Sequence, residues 1–332
     1  MSESFVVRPR DGQRPRREQT PRRPLPDHPA LQPLRAHLSD AEVTDVFVNG
    51  ADGLFVDRGN GLERDPQWRA DAERVRALAV ALIGVGGRHL DDATPCADVR
   101  WQGGARVHAV LPPVARSGAA ISIRLPSPEV LTLDDLQQRA TFDGALRDRL
   151  DALVSGRENV LVSGATGAGK TTLLGALLSR SPASERIVTI EDVAELRVDH
   201  PHHVSLEARQ ANLEGSGEIP LARLVREALR MRPDRLVVGE CRGEEVRELL
   251  TALNTGHDGG AGTVHASGVC DVPARLEALG ALAGWDERAV ARQVASAIGA
   301  IVHIARTPVG RRVTAIARPV VSGGRLDVEV LT

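Results

Sequence analysis

GATGAGKTT, residues 164–172, combines residue types at a spacing that declares a chemistry. Gly164, Gly169, Lys170 and Thr171 fit the pattern G-x-x-x-x-G-K-[ST], which closes a backbone loop around phosphates. Small residues let the chain wrap its ligand, and N–H groups at a helix start point inward. The expected contacts are therefore Gly164, Ala165, Thr166, Gly167, Ala168, Gly169, Lys170, Thr171 and Thr172, with ATP and Mg²⁺ as ligands. Thr171 offers its hydroxyl to the metal.

Among the 42 Lys and Arg residues of the chain, Lys170 is the only lysine. A compact ammonium on a flexible stem can reach the β- and γ-phosphates inside a tight loop, and a planar guanidinium cannot. A bias that writes Arg wherever a generic positive charge is enough has left Lys at this one position.

Three further stretches carry candidate groups. RLVVGE (235–240) is an apolar strand ending in an acid. Such a strand is expected beside the phosphate loop, placing a carboxylate near Mg²⁺ or the attacking water. Gly239 stands where an Asp is usual, so Glu240 alone is left to serve the metal, the water or both. IEDVAEL (190–196) sets Glu191, Asp192 and Glu195 just past another strand. Parallel sheets bind ligands at the carboxyl ends of their strands, which aims these acids at the same crevice. GHDGGAGTVHASG (256–268) holds His257 and His265, the latter at a strand end where it could sense a γ-phosphate. The HPHH run (200–203) lacks metal-ligand spacing and reads as a loop.

The elements that must position these groups follow from periodicity. EVTDVFVNG and DGLFVD alternate around a turn as a hairpin. WRADAERVRALAVALIG has helical spacing, and ADVRW, ARVHAVLPP and AAISIRL are three short strands. This gives an α+β domain over 30–125. RLPSPEV (124–130) opens a Pro-punctuated linker, assigned to 126–140. Beyond it strands alternate with helices, which predicts a mainly parallel α/β sheet covered on both faces over 141–332. Residues 1–29 hold seven arginines against four acids, with almost nothing to bury. They read as a disordered, solvated tail, or as an arm that touches anionic lipid.

Composition narrows the function classes. The net charge is −2, so nothing draws the whole molecule to polyanions. Aromatic residues are 2% with no Tyr, which argues against single-strand binding by base stacking. Three cysteines without a CxxC pair indicate neither a disulfide framework nor a thiolate zinc site. The chain opens without a signal peptide, and its apolar runs (77–87 and 294–305) are too short to span a bilayer. The expected compartment is the cytoplasm.

Taken in order, EVTDVFVNG, GARVHAVLPPVARSGAAISIR, GATGAGKTT, TIEDVAEL, LVVGECRG and GHDGGAGTVHA resemble the CpaF/TadA-type secretion ATPases of Flp-pilus (Tad) systems. These belong to the broader type II and type IV secretion ATPases. The resemblance runs from about Ala41 to about Val321 and implies a smaller α+β, PAS-like domain followed by a RecA-like P-loop motor. It further implies a hexameric homo-oligomer at the inner face of the cell membrane, with polytopic inner-membrane platform proteins as partners and only peripheral membrane contact. Glu191, Asp192 and Glu195 match the family's acidic box, Glu240 its Walker B acid and His265 its His box. Arg106 and Arg124 match arginines of the first domain that reach the nucleotide. Neither the membrane-anchoring nor the zinc-binding additions of some relatives are expected, and only the short tail is expected in place of their long N-terminal region.

Two other classes compete. A nucleic-acid or DNA-transfer motor is opposed by the acidic body and scarce aromatics. A nucleotide switch with poor turnover is opposed by the acids at 191, 192 and 240. No LSGGQ-like signature marks an ABC-type ATPase.

Overall fold

The computed structural model describes residues 23–59, 61–101, 103–126, 129–209 and 217–332. The chain divides into two units, Met1–Glu129 and Val130–Thr332.

In the first unit, α1 (Arg35–Ser39) leads to β1 (Asp45–Asn49), β2 (Gly53–Asp57) and β3 (Leu62–Arg64). Helix α2 (Ala72–Val85) precedes β4 (Cys96–Arg100), β5 (Arg106–Val110) and β6 (Ala120–Arg124). The strands form one antiparallel sheet in the order β3-β2-β1-β6-β5-β4. The expected hairpin is β1–β2, pairing Asp45 with Asp57 through Asn49 with Gly53. Asp71 caps α2 by accepting from the Arg74 N–H at 2.8 Å. Val75, Ala79, Leu82 and Ile83 then form its buried stripe. Alternate residues of the central strands (Val46, Val48, Val107, Ala109, Ile121, Ile123) complete that core.

Two expected boundaries shift. Residues 1–22 of the expected tail lie outside the described residues, but within 23–29 Arg23 and Leu25 pack against the first unit. Arg23 is buried, with Nε 2.9 Å from the Pro126 carbonyl and a terminal nitrogen 2.6 Å from that of Asp40. A guanidinium with five donors can satisfy several carbonyls at once, which composition alone does not reveal. The linker expected over 126–140 contains a helix, α3 (Leu133–Gln138). Thr132 and Asp135 close a capping box at its start, and Leu133 and Leu136 are buried.

The second unit continues with α4 (Gly144–Ser155), β7 (Val160–Gly164), α5 (Lys170–Leu178), β8 (Ile187–Glu191) and β9 (His203–Glu207). Then come α6 (Leu221–Leu229), β10 (Arg235–Val238), α7 (Glu245–Leu253), β11 (Ala261–His265), α8 (Val272–Leu282) and α9 (Glu287–Ala297). The chain ends in β12 (Ala300–Thr307), β13 (Gly310–Ser322) and β14 (Arg325–Val330). The sheet order is β14-β13-β12-β7-β11-β10-β8-β9. It is parallel from β12 to β9, with β13 and β14 added antiparallel at one edge.

Helices cover both faces, as expected. Leu161 of β7 joins the core under α6–α9, while its neighbours Val160 and Val162 join the core under α3–α5. That alternation explains why the strand reads as a continuous apolar run. The expectation that β10 lies beside β7 is corrected: β11 stands between them, so the His265 strand separates the loop strand from the Glu240 strand. Among the described residues no helix is long and apolar enough to cross a membrane.

Candidate nucleotide site

Strands β7, β8 and β11 end at Gly164, Glu191 and His265, with Glu240 two residues past the end of β10. Parallel register holds these ends level: His265 pairs with Gly164, and Val238 pairs with Ile190 and Gly262. The groups expected from separate motifs therefore meet along one edge of the sheet.

The loop after β7 enters α5 through Gly169, whose φ of 104° is open to glycine and strained for other residues. Lys170 starts the helix and is buried. Its ammonium donates to the Ala165 carbonyl at 3.0 Å and to Nδ1 of His265 at 3.1 Å. The other ring nitrogen of His265 lies 2.7 Å from Oε1 of Glu240. Accepting from Lys170 at Nδ1 leaves the proton on Nε2, so His265 donates to Glu240. Oε2 of Glu240 accepts from Arg242 at 2.6 Å. One hydrogen-bonded chain thus runs from Lys170 through His265 and Glu240 to Arg242.

The charge states agree with this chain. Burial lowers the Lys170 ammonium from its ordinary range, against the pull of Glu240. Burial and then Lys170 lower His265, which keeps the ring neutral. For Glu240, burial works against the carboxylate. The Arg242 hydrogen bond and charge, with His265 and Lys170, outweigh it and hold Glu240 below the usual range. Burial raises Asp192, against the charge of Arg242 3.9 Å away.

The acidic box has two distinct parts. Glu191 is buried, and its Oε1 accepts from the backbone N–H groups of Glu195 and Leu196 at 3.0 and 2.9 Å. Asp192 and Glu195 are exposed. The glycine at 239 now has a physical reason: a Cβ there would lie 2.4 Å from Cγ of Glu191. The side chain of Glu191 occupies the space where one on residue 239 would begin, so a second carboxylate stands at the end of β10 after all.

Two neighbours escaped the sequence reading. Arg242 pairs with Glu240, and buried Glu245 accepts from the backbone N–H of Gly243 at 2.8 Å and from that of Arg242, fixing the turn. The available signal was CRGEE itself, an arginine two residues after the key acid with an acid at the following helix start. Replacing Arg242 with Gln removes the main group holding Glu240 ionised. Burial then dominates, and the Glu240 pKa rises. If hydrolysis needs the carboxylate, the acid limb of the turnover profile should move to higher pH in Arg242→Gln. Phosphate release measured from pH 5 to 9 reads this directly, and an unmoved limb would separate Arg242 from the working acid.

His257 lies away from this chain, with its ring 3.2 Å from the Ala252 carbonyl. Within HPHH, His203 opens β9 and bonds Thr189 at 2.9 Å, which corrects the loop reading at that residue. No group of three or more His, Cys, Asp or Glu able to hold a metal occurs among the described residues. Arg106 and Arg124 belong to the first unit, as register partners on β5 and β6. They line a cavity with Asp45, Phe47, Asp98 and His108, and Arg106 lies 3.4 Å from Asp98.

A glycine-rich loop leading from a parallel strand into a helix, with a buried lysine and carboxylates at neighbouring strand ends, defines a RecA-like P-loop ATPase domain. Residues 29–317 match the type II/IV secretion system protein family, and the chain belongs to it. It is 50% identical over 288 residues to the putative conjugal transfer protein Rv3659c of Mycobacterium tuberculosis, covering 85% of this chain and 81% of that one. It is 32% identical over 267 residues to the type IV secretion system protein VirB11 of Brucella suis, covering 73% and 74%. The crystal structure of the pilus retraction motor PilT with bound ADP superposes with a TM-score of 0.61 at 21% identity, over 90% of this chain and 81% of that one, a likeness of fold.

Proposed function

We propose that this protein hydrolyses MgATP to drive assembly of a Flp/Tad-type pilus or secretion of protein. On this reading it works as a hexameric ring at the cytoplasmic face of the inner membrane, against polytopic platform proteins. The observation that supports the ATPase chemistry is the chain Lys170–His265–Glu240 beside the phosphate loop. Lys170 leaves its resting partners for the phosphates. Once Lys170 has left, His265 can take up a proton from solvent at Nδ1 and donate to a γ-phosphate oxygen while Nε2–H still donates to Glu240, which links arrival of the phosphate to Glu240. Glu240 accepts a proton from the attacking water.

Thr171, on the first turn of α5, would offer its hydroxyl to Mg²⁺, an oxygen donor of the kind that ion prefers. Both oxygens of Glu240 are engaged by His265 and Arg242, which favours the water over the metal for that residue. When bound, the ion neutralises charge on the phosphate oxygens. Arg106 and Arg124 are proposed to bring further positive charge to the transferring phosphoryl group.

A DNA-transfer motor is the second reading, favoured by the name of the mycobacterial relative. Phosphate release with and without single- and double-stranded DNA, alongside mass by light scattering in MgATP, separates the two. The expected result is a mass of six protomers of 35.4 kDa and turnover indifferent to DNA. Stimulation by DNA would move the assignment to transfer, and a monomer throughout would contradict the ring.

A further inference from the structure

The hairpin joining β12 to β13 forms one wall of the phosphate loop. Nε of Arg311 donates to the Gly167 carbonyl at 3.2 Å. A Cβ built on Gly169 would lie 3.1 Å from Cδ of Arg311 and 3.5 Å from Cδ1 of Ile304. The hairpin is fixed in place: Arg312 donates to the Ala140 carbonyl, Val313 N–H bonds Thr141 at 2.8 Å, and the Thr307 hydroxyl closes the turn on Gly310 at 2.8 Å.

The register of this hairpin pairs Arg306 directly with Arg311. Directly opposed residues of antiparallel strands project to the same face, and like charges so placed repel. Both arginines are exposed, and neither has an acidic partner among the described residues. Two uncompensated cations therefore stand together at the rim of a loop whose backbone suits an anion. Arg311 uses Nε on the loop, which leaves its terminal N–H groups free for a ligand.

We propose that Arg306 and Arg311 form a cationic clamp that binds the phosphate chain of the nucleotide from the outer side of the loop. This rests on the nucleotide reading of the loop and adds a binding element that none of its motifs contains. Phosphate is the fitting ligand because the guanidinium fork matches its oxygens. The anion would also relieve the repulsion between the two side chains. Lys170 then grips the reacting end of the ligand, while the hairpin holds the chain of phosphates from outside.

The test is calorimetric titration with MgADP and with inorganic pyrophosphate, on wild type, Arg311→Ala, Arg311→Gln, Arg306→Ala and the double alanine variant. Thermal melting confirms that each is folded. Loss of one charge-assisted contact should weaken both ligands by about tenfold, and the double variant should lose more than either single one. Arg311→Gln keeps a donor for Gly167 but no charge, and should fall with Arg311→Ala. Wild-type affinity in Arg311→Gln would reduce the residue to a loop brace and overturn the clamp. Loss of MgADP binding with pyrophosphate unchanged would place the guanidinium on the nucleoside, which also overturns it. Failure of the wild type to bind either ligand would instead remove the nucleotide reading itself.

Discussion

Lys170→Arg is expected to lose ATP turnover almost as completely as Lys170→Ala, by roughly a thousandfold. The ammonium occupies a buried slot with two acceptors in reach, the Ala165 carbonyl and Nδ1 of His265. A guanidinium brings five donors and a wide plane to that slot, so it adds strain and unpaired N–H groups while keeping the charge. Retained charge therefore does not rescue. The same residue offers a second readout, because its amine is the only side-chain amine of the chain. Burial lowers its pKa, which makes the free amine more available near neutrality. Amine-reactive reagents should label Lys170 and the N-terminus, with MgATP protecting Lys170. Turnover near wild type in Lys170→Arg would refute the shape argument, and labelling indifferent to MgATP would remove Lys170 from the cradle.

Glu240→Gln should bind MgATP nearly as well as wild type while hydrolysis falls between roughly a hundredfold and ten-thousandfold. The loop and α5 that hold the phosphates do not include Glu240, so binding has no reason to fail. Gln can still accept from Arg242, but it cannot take a proton from water. Its other end, an amide NH₂, would face the Nε2–H of His265. While Nδ1 accepts from Lys170 the His265 link is lost, and it forms only in the Nδ1–H tautomer, which gives up Lys170. The variant therefore removes the base and, in the resting site, its connection to Lys170.

Much of this was legible in the sequence because the second unit's central strands are buried on both faces and written as short apolar runs. Each such run is followed at once by its chemistry: VLVSG by the loop, RIVTI by Glu191, LVV by Glu240 and GTV by His265. What was illegible came from long-range pairing. His203 joins β9 only because β8 offers it an edge, and its alternation is weak. Arg23 looks like part of a solvated arm until four distant carbonyls gather around it. The β12–β13 hairpin brings Arg311 to Gly167 across 144 positions, a contact no local pattern announces. Gly239 read as a missing acid, and only the packing of Glu191 explains it.

The central claim is that the Lys170–His265–Glu240 chain turns over MgATP. Phosphate release at saturating MgATP, run side by side on wild type and Glu240→Gln with nucleotide binding measured on the same samples, tests it most directly. The account predicts steady release from wild type, abolished by chelating Mg²⁺, and an inactive Glu240→Gln that still binds. Equal release from the two proteins, or nucleotide binding by wild type without any release, would contradict it.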